Sequence, residues 1–345
     1  MNVATEIRPT FDTDVRTAEP CLAVDGLDIA YGTGTPVVSD FSLTVAPGET
    51  VGLIGESGCG KSSVGLALLG LLPDSAQVSA RTLDIAGQDV LGATDRDFQK
   101  LRGREIGMIF QEPMSALNPC TRIGIQIAEV LRLHGLADKK TAQARALELL
   151  QLVQVPEPEL RMKQFPHQLS GGMRQRIVIA MALAARPKVL VADEPTTALD
   201  VTVQAQILRL LAQIQQDSGA GMVLISHDLG VIAETCDRVV VMYAGQIIEQ
   251  GTPEAVLSAP AHPYTAGLLA SIPTLAGDHA GDLPTIPGGI AAEDRARPGC
   301  RFAPRCALAG PECEAPLPLE ALTGSHDVRC VKSLVPVGYS AAIDE

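Results

Sequence analysis

Residues 55–62 read GESGCGKS, and they join an apolar run at Val51–Ile54 to a helical pattern over Lys61–Leu72. The octapeptide fits G-x-x-x-x-G-K-[ST], whose glycines let successive backbone N–H groups turn inward around phosphate oxygens. The helix that follows adds partial positive charge at its N-terminus. Lys61 can reach the β- and γ-phosphates, and Ser62 can ligate Mg²⁺. Gly55, Glu56, Ser57, Gly58, Cys59, Gly60, Lys61, Ser62 and the adjoining Ser63 are therefore the candidate nucleotide contacts. By itself the loop specifies a nucleoside triphosphate and no more.

A strand–loop–helix unit of this kind belongs in an α/β fold. Strand-like runs recur at Ile106–Phe110, Val189–Ala192, Val223–Ile225 and Val239–Met242. Helical patterns lie between them, which predicts a parallel sheet. Residues 121–186 read as helical throughout. Ile123, Ile127, Val130 and Leu131 share one face, and Ala146, Leu149, Leu150 and Val153 share another. This stretch is predicted to be a helical insertion in the α/β domain. From Pro260 the texture changes to a proline-punctuated region (Pro263, Pro273, Pro284, Pro287, Pro298, Pro304). The expected organisation is a loose tail over 1–20, a main domain over 21–259 and an extension over 260–345.

Val189-Leu190-Val191-Ala192 leads into Asp193-Glu194, an apolar strand ending in two carboxylates. Asp193 would hold Mg²⁺ and Glu194 would activate the attacking water.

Charge and composition remove several function classes. The formal net charge is −13, and Trp is absent. An acidic chain poor in aromatic residues is unsuited to gripping phosphate backbones or stacking bases, so no nucleic-acid partner is expected. The longest apolar runs, Ile177–Ala185 and Leu66–Leu72, fall short of a membrane span. Met1–Pro20 lacks the apolar core of a signal peptide, so a cytoplasmic protein is expected.

With these elements in order, further segments resemble those of ABC-type ATPases. LSGGMRQR at 169–176 resembles the family signature, with Met173 in place of the commoner Gln. Gln111 in FQEPMSALNP resembles the Q-loop. Ala198-Leu199-Asp200 resembles the D-loop, and His227 in LISHD resembles the switch histidine. Tyr31 lies where the family stacks an aromatic ring on adenine. The resemblance implies a P-loop ABC ATPase domain, with a RecA-like core, an antiparallel β subdomain and a helical subdomain. It implies that Glu194, His227 and Gln111 are catalytic, and that Ser62, Gln111 and Asp193 surround Mg²⁺. Ser170, Gly171, Gly172 and Met173 would complete the ATP site of an opposing subunit, beside Asp200.

A narrower likeness covers nearly the whole chain. GESGCGKS, FQEPMSALNP, LSGGMRQR, DEPTTALDVTVQAQIL and His262-Pro263-Tyr264-Thr265 resemble the ATPase subunits of oligopeptide and dipeptide permeases, the dipeptide-type D subunit above all. That likeness implies a translocase ATPase bound peripherally at the cytoplasmic face of the cell membrane. Its implied partners are a second related ATPase in a heterodimer, two transmembrane permease subunits and an extracytoplasmic substrate-binding protein. Relatives also import nickel complexes or glutathione. A soluble ABC ATPase acting on nucleic acid is the competing class, but such proteins usually carry two cassettes or a long coiled-coil insertion.

Four of the eight cysteines, Cys300, Cys306, Cys313 and Cys330, fall near the end, separated by five, six and sixteen residues. Four thiolates can close a zinc site or hold a 4Fe–4S cluster. Zinc sites usually bring paired thiols two to four residues apart. The wider spacing here suits the corners of a cube better, and the permease likeness implies such a cluster. His326 is an alternative ligand. Because these residues lie outside every ATP motif, they are expected to act structurally.

Overall fold

The computed structural model describes residues 19–32, 34–197, 199–271 and 285–335. Most of the expected N-terminal tail, Ala198, Pro273 and Pro284 lie outside the described residues.

The first part of the chain runs β1 (Leu22–Tyr31), β2 (Val38–Val45), β3 (Thr50–Ile54), α1 (Lys61–Leu68), β4 (Ala76–Ser79), β5 (Thr82–Ile85), β6 (Gln88–Asp89), α2 (Asp95–Leu101) and β7 (Ile106–Ile109). A helical stretch follows: α3 (Pro113–Ala116), α4 (Ile123–Leu133), α5 (Lys139–Leu152), α6 (Pro158–Arg161) and α7 (Gly171–Leu183). Then come β8 (Val189–Asp193), α8 (Val201–Ser218), β9 (Gly221–Ile225), α9 (Leu229–Thr235), β10 (Arg238–Tyr243), β11 (Gln246–Gly251), α10 (Pro263–Ala270), β12 (Glu320–Thr323) and β13 (His326–Val328).

Two sheets result. The smaller is antiparallel, in the order β2-β1-β5-β6 with β4 also paired to β1. The larger has the order β12-β13-β11-β10-β3-β9-β8-β7. Its β10, β3, β9, β8 and β7 are parallel, and β11, β13 and β12 finish it antiparallel. Every residue of β3, β8 and β9 is buried, because both faces of these central strands are covered. Alternate residues go to different cores. Val51, Leu53, Val189, Val191, Val223 and Ile225 pack with α1 and the antiparallel sheet. Leu190, Ala192, Met222 and Leu224 pack on the opposite face, with α7 and α8.

The helical stretch buries the faces that periodicity marks. Ile123, Ile127 and Leu131 of α4 meet Ala146, Leu150 and Val153 in one cluster, with Val130 and Leu149 at its margin. Asp138 caps α5, accepting from the N–H groups of Lys140 and Thr141.

The segment after 260 shares both sheet and core with the rest. β13 pairs with β11, extending the large sheet. Tyr264 and Phe302 are buried beside Tyr243 of β10, with ring centroids 4.8 Å (Tyr243–Tyr264) and 5.2 Å (Tyr243–Phe302) apart. Glu249 of β11 is fully buried, and it accepts from Ala261 N (2.7 Å) and His262 N (2.9 Å) and pairs with His326 Nε2 (2.7 Å). Two parts of the chain, 261–262 and His326, thus converge on one carboxylate, which a buried charge requires.

Candidate active site

The glycine-rich loop leaves β3 and enters α1. Gly55, Gly58 and Gly60 have φ of 149°, 79° and 112°, a region that side chains disfavour. A Cβ on Gly55 would also run into Met242 O, and one on Gly60 into Val38 Cγ2. The loop therefore needs glycine both for conformation and for closeness to β2 and β10. Lys61 is buried at the start of α1, and its Nζ donates to Gly55 O (2.6 Å) and Glu56 O (3.0 Å). The ammonium is held inside the loop by the carbonyls at its entrance. Burial raises the pKa of Cys59, so it remains a packed neutral thiol. Tyr31 ends β1 and shares a 3.2 Å hydrogen bond with Ser63 Oγ, which ties its exposed ring to the first turn of α1.

The carboxylates at the end of β8 face this loop. Burial raises the pKa of Asp193, while a hydrogen bond from Ser62 lowers it and the neighbouring charge of Glu194 raises it. Asp193 Oδ1 is buried with no hydrogen-bond partner among the described residues. An orphaned carboxylate oxygen beside a serine hydroxyl suits a hard cation such as Mg²⁺.

Glu194 has φ of 44°, an uncommon conformation for a non-glycine residue, and its N–H donates to Ile225 O (2.9 Å) on β9. The resulting turn gathers three side chains around one oxygen, Gln111 and Thr197 as hydrogen-bond donors and His227 as a close neighbour. Gln111 Nε2 lies 2.9 Å from Glu194 Oε2, Thr197 Oγ1 2.8 Å and His227 Nδ1 3.3 Å. Gln111 follows β7 and His227 follows β9, so the two strands flanking β8 supply both partners. A cleft of about 240 Å³ is lined by Glu194, Thr197, Ser226, His227 and Asp228. A larger cleft of about 510 Å³, between α5, α7 and α8, contains none of the ATP motifs.

Ser170 caps α7, accepting from Met173 N (3.4 Å), and Asp200 caps α8, accepting from Val203 N (2.9 Å). A Cβ on Gly172 would approach Val203 Cγ1 to 2.8 Å, and one on Gly171 would approach Leu199 Cδ2 to 3.6 Å. The signature segment thus packs against the start of α8.

Two sets of contacts were not anticipated from the sequence. Thr197 was passed over because a threonine three residues after a carboxylate carries no distinctive pattern. The second set comes from the segment after 260. Arg305 binds both carboxylate oxygens of Glu56 (2.8 and 3.0 Å), the Tyr264 phenolic Oη accepts from Glu56 N (2.8 Å), and Arg295 donates to Gly58 O (2.9 Å). The segment that carries the cysteines therefore touches the phosphate loop directly, through residues other than the cysteines.

The expected metal site is not formed among the described residues, where no three His, Cys, Asp or Glu side chains are grouped to hold an ion. Cys300, Cys306, Cys313 and Cys330 are free thiols sharing one neighbourhood. Cys300 N donates to Cys313 O (2.8 Å). Burial raises the pKa of Cys300, and it pushes Cys330 up to about 11, with the other three cysteines contributing. His326, the alternative ligand, is engaged by Glu249.

Comparison with known proteins agrees with this geometry. Residues 38–197 match the ABC transporter family, and residues 248–313 match the oligopeptide/dipeptide transporter C-terminal region. The chain is 46% identical to the oligopeptide transport ATP-binding protein AppD of Bacillus subtilis, covering 91% of this chain and 92% of that one. It is 44% identical to the dipeptide transport ATP-binding protein DppD of Escherichia coli, covering 90% and 95%. Among solved structures, a dimeric ATP-binding cassette bound to ADP and Pi after hydrolysis matches with a TM-score of 0.59 and 26% identity, over 67% of this chain and 98% of that one. No described helix is long and apolar enough to cross a membrane. A glycine loop, an acidic strand end and a glutamine–histidine pair around one carboxylate thus stand on the ABC fold, with the peptide-transporter segment packed against them, and the chain belongs to the ATP-binding subunits of the oligopeptide/dipeptide ABC transporter family.

Proposed function

We propose that Glu194 is the general base for ATP hydrolysis on the 55–62 loop. The observation that carries this reading is the meeting of Gln111, Thr197 and His227 on Glu194 Oε2. Two hydrogen bonds on one oxygen, with His227 Nδ1 close beside it, orient the carboxylate so that it can take a proton from a water held in line with the γ-phosphate. Lys61 exchanges the carbonyls of Gly55 and Glu56 for the β- and γ-phosphates, and Tyr31 offers its ring to the adenine. Asp193, Ser62 and Gln111 would hold Mg²⁺, which when bound offsets the phosphate charge. His227 orients the γ-phosphate and the water.

The chain is further proposed to power peptide import from the cytoplasmic face of the membrane, because its relatives are named for oligopeptide and dipeptide transport. Ser170, Gly171, Gly172 and Met173 would contact ATP held by a second, related ATPase, as the dimeric form of the matched cassette suggests. Two permease subunits and a substrate-binding protein would complete the transporter. On this reading, 21–259 is the cassette and 260–345 is an extension, whose described residues pack onto it. The test is to reconstitute these subunits and follow ATP turnover while adding binding protein loaded with peptide. Stimulation by peptide is expected, and turnover indifferent to peptide would contradict the assignment.

The shared neighbourhood and wide spacing of Cys300, Cys306, Cys313 and Cys330 support a 4Fe–4S cluster there in preference to zinc, since a cube spreads its ligand sulfurs farther apart than a single ion does. Iron and sulfide assays on anaerobically purified protein test this. Stoichiometric zinc without iron would overturn it.

A further inference from the structure

Glu56 places a carboxylate in a loop built to receive several negative charges. Left unpaired, it would repel the nucleotide. Arg305 removes that conflict. Its Nη1 donates to Glu56 Oε2 (2.8 Å) and its Nη2 to Glu56 Oε1 (3.0 Å), the fork-on-fork geometry that arginine makes best. The Arg305 side chain is only 8% exposed. It is held by the carbonyls of Ile286, Pro287 and Gly288 (3.3, 2.7 and 3.2 Å) and stands over the rings of Tyr243 (5.7 Å) and Phe302 (5.9 Å). So many partners leave the guanidinium no alternative position. Around the same loop, Tyr264 Oη accepts from Glu56 N and Arg295 reaches Gly58 O.

We infer that Arg305 is a positioning residue of the nucleotide site: it neutralises Glu56 and holds the phosphate loop in its receptive shape, making the segment after 260 a working part of ATP binding. The inference rests on the loop being the phosphate site. It differs from a role in which the Arg305–Glu56 pair merely fastens the C-terminal segment to the cassette. In a fastening role, the charge on Glu56 would not matter to nucleotide once the pair was broken.

The experiment measures binding of a fluorescent ATP analogue with Mg²⁺ to the full chain, in four forms: unaltered, Arg305→Ala, Glu56→Gln, and the two substitutions combined. Arg305→Ala should weaken binding on the order of tenfold, the loss expected for one charge-assisted contact. Adding Glu56→Gln should restore most of that loss, because the repelling charge is gone. In the assembled transporter, Arg305→Ala should raise KM for ATP more than it lowers kcat. Unchanged affinity in Arg305→Ala, or no recovery in the combined variant, would overturn the inference. If Arg305→Ala does not fold, Arg305→Lys replaces it. It keeps the charge but loses the fork, so a several-fold loss reversed by Glu56→Gln is expected, and unchanged affinity overturns the inference. Lys61→Ala is the control for the site itself. Unaltered binding there would remove the phosphate-site reading and this inference with it.

Discussion

Gln111 Nε2 stands 2.9 Å from Glu194 Oε2, although the two residues are 83 positions apart in the chain. Adjacent parallel strands, β7 and β8, end side by side and deliver them to each other. Gln111 also opens the segment leading to α3 and α4. A displacement of the helical stretch would therefore move a donor on the proposed base.

Thr197→Val should slow hydrolysis without abolishing it. Thr197 is one of two hydrogen-bond donors on Glu194 Oε2. Losing one such bond costs about 1 kcal/mol, or roughly fivefold in rate. Thr197→Ser keeps the hydroxyl and should stay near the unaltered rate. Steady-state turnover of the assembled transporter checks both.

Phe302→Ala should destabilise the whole cassette. The ring is buried against Tyr243 and Tyr264, within the same core as α7 and α8. Truncating a buried phenylalanine costs about 3–5 kcal/mol. Thermal unfolding should shift downward as one transition. A separate early transition, with the main one unmoved, would show the C-terminal segment to be an independent unit.

These contacts mark where sequence reading stops. The parallel strands of the large sheet were legible because burial on both faces makes them apolar runs, and the helical stretch because its apolar residues recur at helical spacing; β11, β12 and β13 were not read. Lys61, Asp193, Glu194, Gln111 and His227 were legible because each stands in a recognisable local string. Arg305 and Tyr264 were not, since their partner Glu56 lies 249 and 208 positions away and only the fold brings them together. The metal reading of the cysteines rested on spacing and on the permease likeness, neither of which fixes how the four thiols are arranged in space.

Stability should fall on acidification through His262. Burial lowers its pKa from 6.5 to about 4, while the charge of Glu249 raises it less. Its Nδ1 accepts from Tyr264 N (3.0 Å), which requires the neutral ring. The unfolded chain therefore takes up the proton first as pH falls. The contribution is complete above pH 6.5 and is lost between there and pH 4, at a slope of up to about 1.4 kcal/mol per pH unit. His262→Asn keeps an oxygen to accept from Tyr264 N and should flatten that slope in urea titrations across the same pH range.

Isolated protein should hydrolyse ATP slowly, with turnover rising steeply as the second ATPase and the permeases are added. Ser170 and Gly171–Gly172 pack beside α8 of their own chain and would serve a partner's nucleotide. Full activity that does not depend on concentration, in a demonstrated monomer, would be incompatible with a shared site.

The most direct measurement is of Glu194→Gln in the assembled transporter, with Mg-ATP binding and ATP turnover followed on the same preparation. The amide keeps the shape of the side chain but cannot accept the proton from water. Binding should persist, while turnover falls by roughly 10²–10⁴-fold, the span expected when a general base is lost. Turnover near that of the unaltered transporter would contradict the account, and the base would have to be sought elsewhere.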